Sequence, residues 1–157
     1  MKNIKLESNS NIDTIKIAQK LAGVLSNGDL VILTGELGSG KTKFTEGFLS
    51  FYKIEDEISS PTFNIVNEYT SNNINIYQFD VYRLTDSDEF YEIGGEEYFD
   101  KGICLIEWGE IIKDILPNKY LEIKFEKDIN NDNKRILNLN AIGTKYEKIL
   151  DLFNKTI

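Results

Sequence analysis

The sequence has 157 residues, a mass of 18.0 kDa and 41% hydrophobic residues, which is enough to build one ordinary packed domain. Asp and Glu total 26 against 18 Lys and Arg, so the net charge of -8 offers no general attraction to nucleic acid or to an anionic membrane. Histidine is absent, which excludes Ser-His-Asp and Cys-His catalytic sites and histidine zinc sites, and leaves acid–base chemistry to carboxylates, lysine or tyrosine.

The first third of the chain alternates short apolar runs with segments of helical spacing. In chain order it predicts a strand over 4–6, a helix from about 11 to 26, a strand over 30–34, a glycine-rich loop over 35–40 and a helix over 41–51. The strand over 30–34 reads LVILT, and such a continuous apolar run is typical of a strand buried on both faces of a parallel sheet.

The rest of the chain adds more strands than helices. It predicts strands over 63–69 and 74–82 joined by a turn at 71–73, a short acidic helix over 85–91, a strand over 103–106, a helical or loop segment over 108–116, strands over 120–125 and 135–139 around a polar stretch at 128–134, and a helix over 143–154. This order favours an α/β, P-loop NTPase-type three-layer fold with a mixed, centrally parallel β-sheet. We expect a single domain over residues 1–157.

A phosphate-binding loop follows the apolar strand over 30–34. The motif G-x-x-x-x-G-K-[ST] is matched in full by Gly35, Glu36, Leu37, Gly38, Ser39, Gly40, Lys41 and Thr42. Glycines let the backbone N–H groups converge on an anion, and the helix that follows adds the positive end of its dipole. Lys41 is expected to reach the β- and γ-phosphates of ATP, and the Thr42 hydroxyl is expected to ligate Mg²⁺.

Two acidic residues stand at the ends of predicted strands. Glu107 directly follows ICLI at 103–106, and Asp80 ends IYQF at 76–79. A P-loop protein needs a carboxylate for the metal and a group that orients the attacking water. We expect Glu107 to bind Mg²⁺, and Asp80 or Glu107 to orient the water. Thr62, in the segment SSPTF, stands where a nucleotide hydrolase would carry a switch segment, although a simple turn explains it equally well.

The sequence favours the cytoplasm. Cys104 is the only cysteine, so no intramolecular disulfide can form, and its apolar neighbours favour a thiol buried in the core. The amino terminus lacks an apolar signal core. The sequence also contains no run of about 18 apolar residues, which is the length needed to cross a membrane.

Five segments in order resemble the TsaE (YjeE) family, the small bacterial ATPase of threonylcarbamoyladenosine tRNA modification. They are LTGELGSGKTKFTEGF at 33–48, SSPTFNIVNEY at 59–69, IYQFDVYRL at 76–84, GGEEYF at 94–99 and ICLIEWGE at 103–110. A phosphate loop alone is generic, whereas its combination with these other segments at these spacings is specific to that family.

The resemblance implies ATP in the loop from Gly35 to Thr42, Mg²⁺ on Thr42 and Glu107, a switch containing Thr62, and Asp80 assisting hydrolysis or metal binding. Arg83 and Trp108 also match family positions, without a role that can be separated from packing. Arg135 falls where the family tends to carry an arginine near the nucleotide. The chain departs from the family at Gln78, where histidine is common, and at Gly109, where proline often follows the tryptophan.

The resemblance also implies two protein partners, TsaD, which modifies adenosine 37 of tRNA, and TsaB. The acidic charge fits a protein that docks on these partners and meets tRNA only indirectly. The acidic segment 86–97 and the segment 59–69 are the surfaces that we expect to face them.

Three other functions compete with this one. A small P-loop kinase would usually close an arginine-bearing lid, and the chain has only Arg83 and Arg135. A GTP-dependent switch would usually carry Asn-Lys-x-Asp, and the nearest string, NKYL at 118–121, lacks the aspartate. A module that binds ATP without splitting it stays open.

Overall fold

The computed structural model describes residues 2–36, 38–54, 66–81, 84 and 87–157. The strands are β1 (Asn3–Ser8), β2 (Leu30–Gly35), β3 (Val66–Ser71), β4 (Ile74–Asp80), β5 (Ile103–Glu107), β6 (Tyr120–Asp128) and β7 (Asn131–Ile142). The α-helices are α1 (Asn11–Ala22), α2 (Lys41–Phe51), α3 (Ser87–Glu92) and α4 (Thr144–Asn154), with 3₁₀ helices at Gly95–Tyr98 and Gly109–Ile115. Among these described helices, none has both the length and the apolar character needed to cross a membrane.

All seven strands form one sheet in the order β1-β7-β6-β2-β5-β4-β3. Its centre is parallel, because β2 pairs with β5 and with β6 in parallel, and β4 pairs in parallel with β5. The outer pairs β3–β4, β6–β7 and β1–β7 are antiparallel. The expected α/β fold with a mixed, centrally parallel sheet is therefore confirmed, and the carboxyl ends of β2, β4 and β5 meet at one edge.

Helices cover both faces of the central strands. Val31 and Leu33 of β2 are fully buried in a cluster with apolar residues of α1, α2 and α4. Leu30 and Ile32, on the opposite face, are buried with residues of α3 and of the second 3₁₀ helix. The alternation along β2 explains why its sequence is apolar at every position, as expected for a strand covered on both faces.

Two predicted boundaries were wrong. The first helix ends at Ala22 rather than near Ser26, since the N–H groups of Val24 and Leu25 donate to the carbonyls of Leu21 and Ala22, three residues back instead of four. The polar stretch 128–134 is mostly strand, since β6 runs to Asp128 and β7 begins at Asn131. Antiparallel pairing uses backbone groups, so a hairpin can continue through polar residues once it has left the core.

The end of this hairpin stands beside the loop that follows β2. The pairing of β2 with β6 ends at Gly35 and Phe125, and the pairing of β1 with β7 ends at Ser8 and Arg135. Residues 126–134 therefore form a two-stranded ribbon that extends past the rest of the sheet.

Candidate active site

The glycines of the loop between β2 and α2 have positive φ values. Gly35, Gly38 and Gly40 have φ values of +134°, +75° and +110°, which L side chains rarely adopt. A side chain at position 35 would also clash with the neighbouring strand, since a Cβ there would lie 2.5 Å from Phe125 O. The glycines of the motif are thus required by local geometry, while Leu37 lies outside the described residues.

The amino terminus of α2 opens onto this loop. The helix begins at Lys41, and Gly40 precedes it without a side chain that could cap the first N–H groups. The Ser39 hydroxyl is buried and has no hydrogen-bond partner in the part of the chain that the structure describes. Uncapped N–H groups at a helix start can donate hydrogen bonds to an anion, and phosphate is commonly bound at such termini.

Lys41 lies at the inner end of the loop. It is only 5% exposed, and its Nζ donates a hydrogen bond to Gly35 O. The same ammonium lies 3.6 Å from the ring centroid of Trp108. This contact with Trp108 gives the tryptophan a polar partner that sequence reasoning did not anticipate.

Asp80 and Glu107 lie side by side at the carboxyl ends of β4 and β5, where they are register partners. Glu107 is 6% exposed, and burial together with the neighbouring charge of Asp80 raises its pKa to about 7, although Lys41 acts in the opposite direction. A nearby cation stabilises the ionised form of a carboxyl group that is buried beside a second carboxylate. The strand ends thus place two acids and Lys41 close enough to interact.

These groups share one cavity of about 610 Å³. Its walls come from the phosphate loop, the strand ends, the start of α1 and the ribbon, and the lining residues are Asn9, Ser10, Asn11, Thr14, Gly38, Gly40, Lys41, Thr42, Lys43, Asp80, Glu107, Trp108, Asp132, Asn133 and Arg135. A volume of this size is within the range of pockets that hold a small-molecule ligand.

Arg135 joins the ribbon to the phosphate loop. Its Nη2 donates to Gly38 O at 3.3 Å, and its Nη1 donates to the carbonyls of Asp132 and Lys134. Arg135 therefore borders the cavity, and its position near a nucleotide stays a prediction.

A divalent cation would need ligands from more than one source. The described residues contain no group of three or more His, Cys, Asp or Glu side chains that could hold a metal ion alone. Mg²⁺ commonly takes one or two carboxylates together with phosphate oxygens and water. The pairing of a buried Glu107 with Asp80, on the cavity that Thr42 also lines, fits that donor set.

The structure brings most of the predicted site residues together. Gly38, Gly40, Lys41, Thr42, Asp80 and Glu107 all line the cavity, Gly35 and Ser39 belong to the same motif without lining it, and Glu36 is exposed. Thr62, Arg83 and most of the segment 59–69 lie outside the described residues. The cavity walls at Asn9 and Asn133 were not foreseen, since an isolated asparagine carries no motif.

The predicted partner-facing acidic segment 86–97 is described from residue 87 onward. Glu96 and Glu97 are exposed, and the large side chains of Tyr91 and Ile93 are 49% and 40% exposed. The segment is thus accessible, and its role in docking stays a prediction.

Comparison with known proteins gives consistent matches over most of the chain. The model of the family described as "Threonylcarbamoyl adenosine biosynthesis protein TsaE" matches residues 8–136. The tRNA threonylcarbamoyladenosine biosynthesis protein TsaE of Bacillus subtilis is 36% identical over 152 residues, 96% of this chain and 94% of that protein. The protein of the same name from Rickettsia conorii is 42% identical over 124 residues, 78% of this chain and 71% of that protein. The crystal structure of Bacillus subtilis YdiB superposes with a TM-score of 0.83 at 31% identity, covering 99% of this chain and 96% of that one.

Proposed function

Because the chain belongs to the TsaE family of threonylcarbamoyl adenosine biosynthesis proteins, we propose that it is a P-loop ATPase that supports threonylcarbamoylation of adenosine 37 in tRNA. The proposed reaction is hydrolysis of Mg²⁺-bound ATP to ADP and phosphate.

One observation carries the proposal. The uncapped start of α2, the Lys41 ammonium and the carboxylates of Asp80 and Glu107 all face the same 610 Å³ cavity. A polyphosphate needs the first two, and a metal ion together with an attacking water needs the carboxylates. A binding module would need only the loop.

Each residue then has a distinct task. Lys41 neutralises charge on the β- and γ-phosphates, and the loop N–H groups hold the phosphate oxygens. Thr42 and Glu107 would hold Mg²⁺, which would supply neutralisation of phosphate charge when bound. Asp80 is exposed enough to meet water and lies next to Glu107, so it is the candidate to orient the attacking water.

The proposed partners are TsaD and TsaB, and the proposed location is the cytoplasm. The net charge of -8 disfavours a direct grip on tRNA and supports contact with tRNA only through partner proteins. The family name supports the pathway, and the accessible acidic segment 87–97 supplies a surface for docking.

The test is ATP hydrolysis by the purified protein, alone and with TsaD and TsaB from the same source. We expect turnover that rises when the partners are added and is lost in Lys41→Ala. Lys148→Ala, which removes an exposed lysine of α4, serves as the matched control and should keep full turnover.

Other outcomes separate the alternatives. ATP binding without hydrolysis, even with both partners present, would contradict the ATPase and favour an ATP-binding module. Transfer of the γ-phosphate to an added acceptor would favour a kinase. Failure to bind ATP at all would refute the proposed function.

A further inference from the structure

Trp108 has a backbone conformation that a bulky L residue rarely adopts. Its φ and ψ are 65° and 30°, in the left-handed region, directly after β5. Its N–H donates to Leu33 O at 3.1 Å, and its carbonyl accepts from the N–H of Ile111 at 3.1 Å. Residues held in strained conformations of this kind cluster at functional sites. The strained backbone of Trp108 therefore suggests that its side chain has a function in this site.

The indole of Trp108 lies against the Lys41 ammonium. The distance from Nζ to the ring centroid is 3.6 Å, and tryptophan offers the strongest aromatic face for a cation. Gly35 O accepts a hydrogen bond from the same Nζ. The ammonium is thus held from one side by the loop carbonyl and from another by the indole.

The two contacts tie together the strands that build the site. Trp108 is anchored to β2 through Leu33, and Gly35 is the last residue of β2. Both contacts of the ammonium are therefore fixed to β2, the strand that leads into the phosphate loop. These two contacts would hold the positive charge of Lys41 at the end of the cavity that the phosphate loop forms.

We propose that Trp108 is a positioning residue for Lys41, which it holds in place before a polyphosphate binds. The proposal rests on the proposed function, since the ligand is the phosphate chain of a nucleotide. Lysine is a flexible side chain, and ordering it only on binding would lower the affinity.

The first measurement is the ATP affinity of Trp108→Leu and Trp108→Phe by calorimetry. Losing a partly desolvated cation–π contact should weaken binding about 3- to 30-fold in Trp108→Leu. Trp108→Phe retains an aromatic face and should stay within about threefold of the parent protein. Equal losses in the two variants would overturn the proposal, because loss of packing alone predicts no such rescue.

The decisive measurement is a double-mutant cycle with Lys41→Met. If Trp108 acts through Lys41, replacing Trp108 by Leu in the Lys41→Met background should change the affinity less than twofold. A second full loss, additive to the first, would show that Trp108 acts independently of Lys41 and would refute the proposal. Lys148→Met on α4 controls for the change of net charge.

The same cycle with inorganic tripolyphosphate separates this proposal from the proposed function. Coupling between positions 41 and 108 for tripolyphosphate, with no affinity for ATP, would refute the nucleotide assignment and keep the role of Trp108. Trp108 is the only tryptophan, so its emission without ligand reports the contact directly. Identical emission from the parent protein and Lys41→Met would contradict the contact.

Discussion

Replacing Glu107 by glutamine should make the protein more stable at pH 8 and should change its stability by less than about 1 kcal/mol at pH 5. Glu107 is 6% exposed, and its pKa is raised from 4.5 to about 7, chiefly by burial and secondarily by Asp80. The folded protein therefore disfavours the ionised carboxylate. Glutamine retains the size and shape of the side chain and never carries the charge.

The sign follows from proton binding. Between pH 4.5 and about 7 the folded protein keeps a proton on Glu107 that the unfolded chain releases, so stability falls as the pH rises through this range. Each pH unit between the two pKa values corresponds to about 1.4 kcal/mol, which gives a cost on the order of 3 kcal/mol above pH 7. Below pH 4.5 both states are protonated, and the cost vanishes.

The assay is urea unfolding followed by circular dichroism, with EDTA present and no nucleotide, at intervals from pH 5 to pH 8. The quantity of interest is the difference in unfolding free energy between Glu107→Gln and the parent protein, because other titrating groups cancel in that difference. The exposed carboxylate of Glu96 supplies the matched control, and Glu96→Gln should give a difference that is flat with pH. A flat difference for Glu107→Gln as well would refute the reasoning.

A variant at the neighbouring acid divides the two causes. Asp80→Asn removes the negative charge that is the smaller cause of the raised pKa of Glu107, and it leaves Glu107 buried. It should therefore recover only a minor part of the stability that the parent protein loses as the pH rises. If Asp80→Asn matched Glu107→Gln at pH 8, the charge rather than burial would dominate.

Three further predictions concern packing, charge and docking. Gly47→Ala should destabilise the protein by about 2 kcal/mol, since its Cβ would lie 2.7 Å from Ile15 Cα, and this overlap outweighs the better helix propensity of alanine. Lys145→Met should cost about 1–2 kcal/mol, because it removes the ammonium 2.7 Å from the carboxylate of Asp29, which is 1% exposed, while the half-exposed lysine limits the effect. The double change of Glu96 and Glu97 to lysine should weaken capture by TsaD and TsaB and leave the unfolding midpoint unchanged.

The first two predictions have contrasting variants, and the third has an outcome that would refute it. Gly23→Ala places a Cβ 3.5 Å from its nearest neighbours at a negative φ and should be nearly neutral in the same unfolding assay. Lys148→Met lies one turn from Lys145 on α4 and is exposed, so a loss equal to that of Lys145→Met would contradict the ion-pair explanation. Unchanged pull-down of the partners by the protein with both lysines would refute the docking surface.

The sequence predicted the site where the chemistry depends on local spacing. The eight residues from Gly35 to Thr42 form one continuous motif, and its turn, its glycines and the helix after it follow from the chain itself. Asp80 and Glu107 were predictable as neighbours only because each ends an apolar run, and parallel strands bring such ends to one edge. Neither inference needed knowledge of any distant side chain.

What the sequence could not predict depends on distant segments. The contact of Trp108 with Lys41 joins residues 67 positions apart and requires a left-handed backbone that no propensity assigns to tryptophan. Tertiary structure alone determines this contact.

Several unfavourable features of the described structure gather around one cavity. Trp108 has a strained backbone, Glu107 is buried beside a like charge, and the buried Ser39 hydroxyl lacks a partner within the described residues. The other buried side-chain atom without a hydrogen bond, Asp29 Oδ1, lies 2.7 Å from Lys145 Nζ and is compensated by that charge. Costs of this kind persist when a bound ligand relieves them or when the geometry they fix is needed for function. Mg²⁺-bound nucleotide would relieve the carboxylate repulsion, so it should stabilise the parent protein more than Glu107→Gln. A melting shift with Mg²⁺-ATP that is equal in the two proteins would show that Glu107 does not take part in binding.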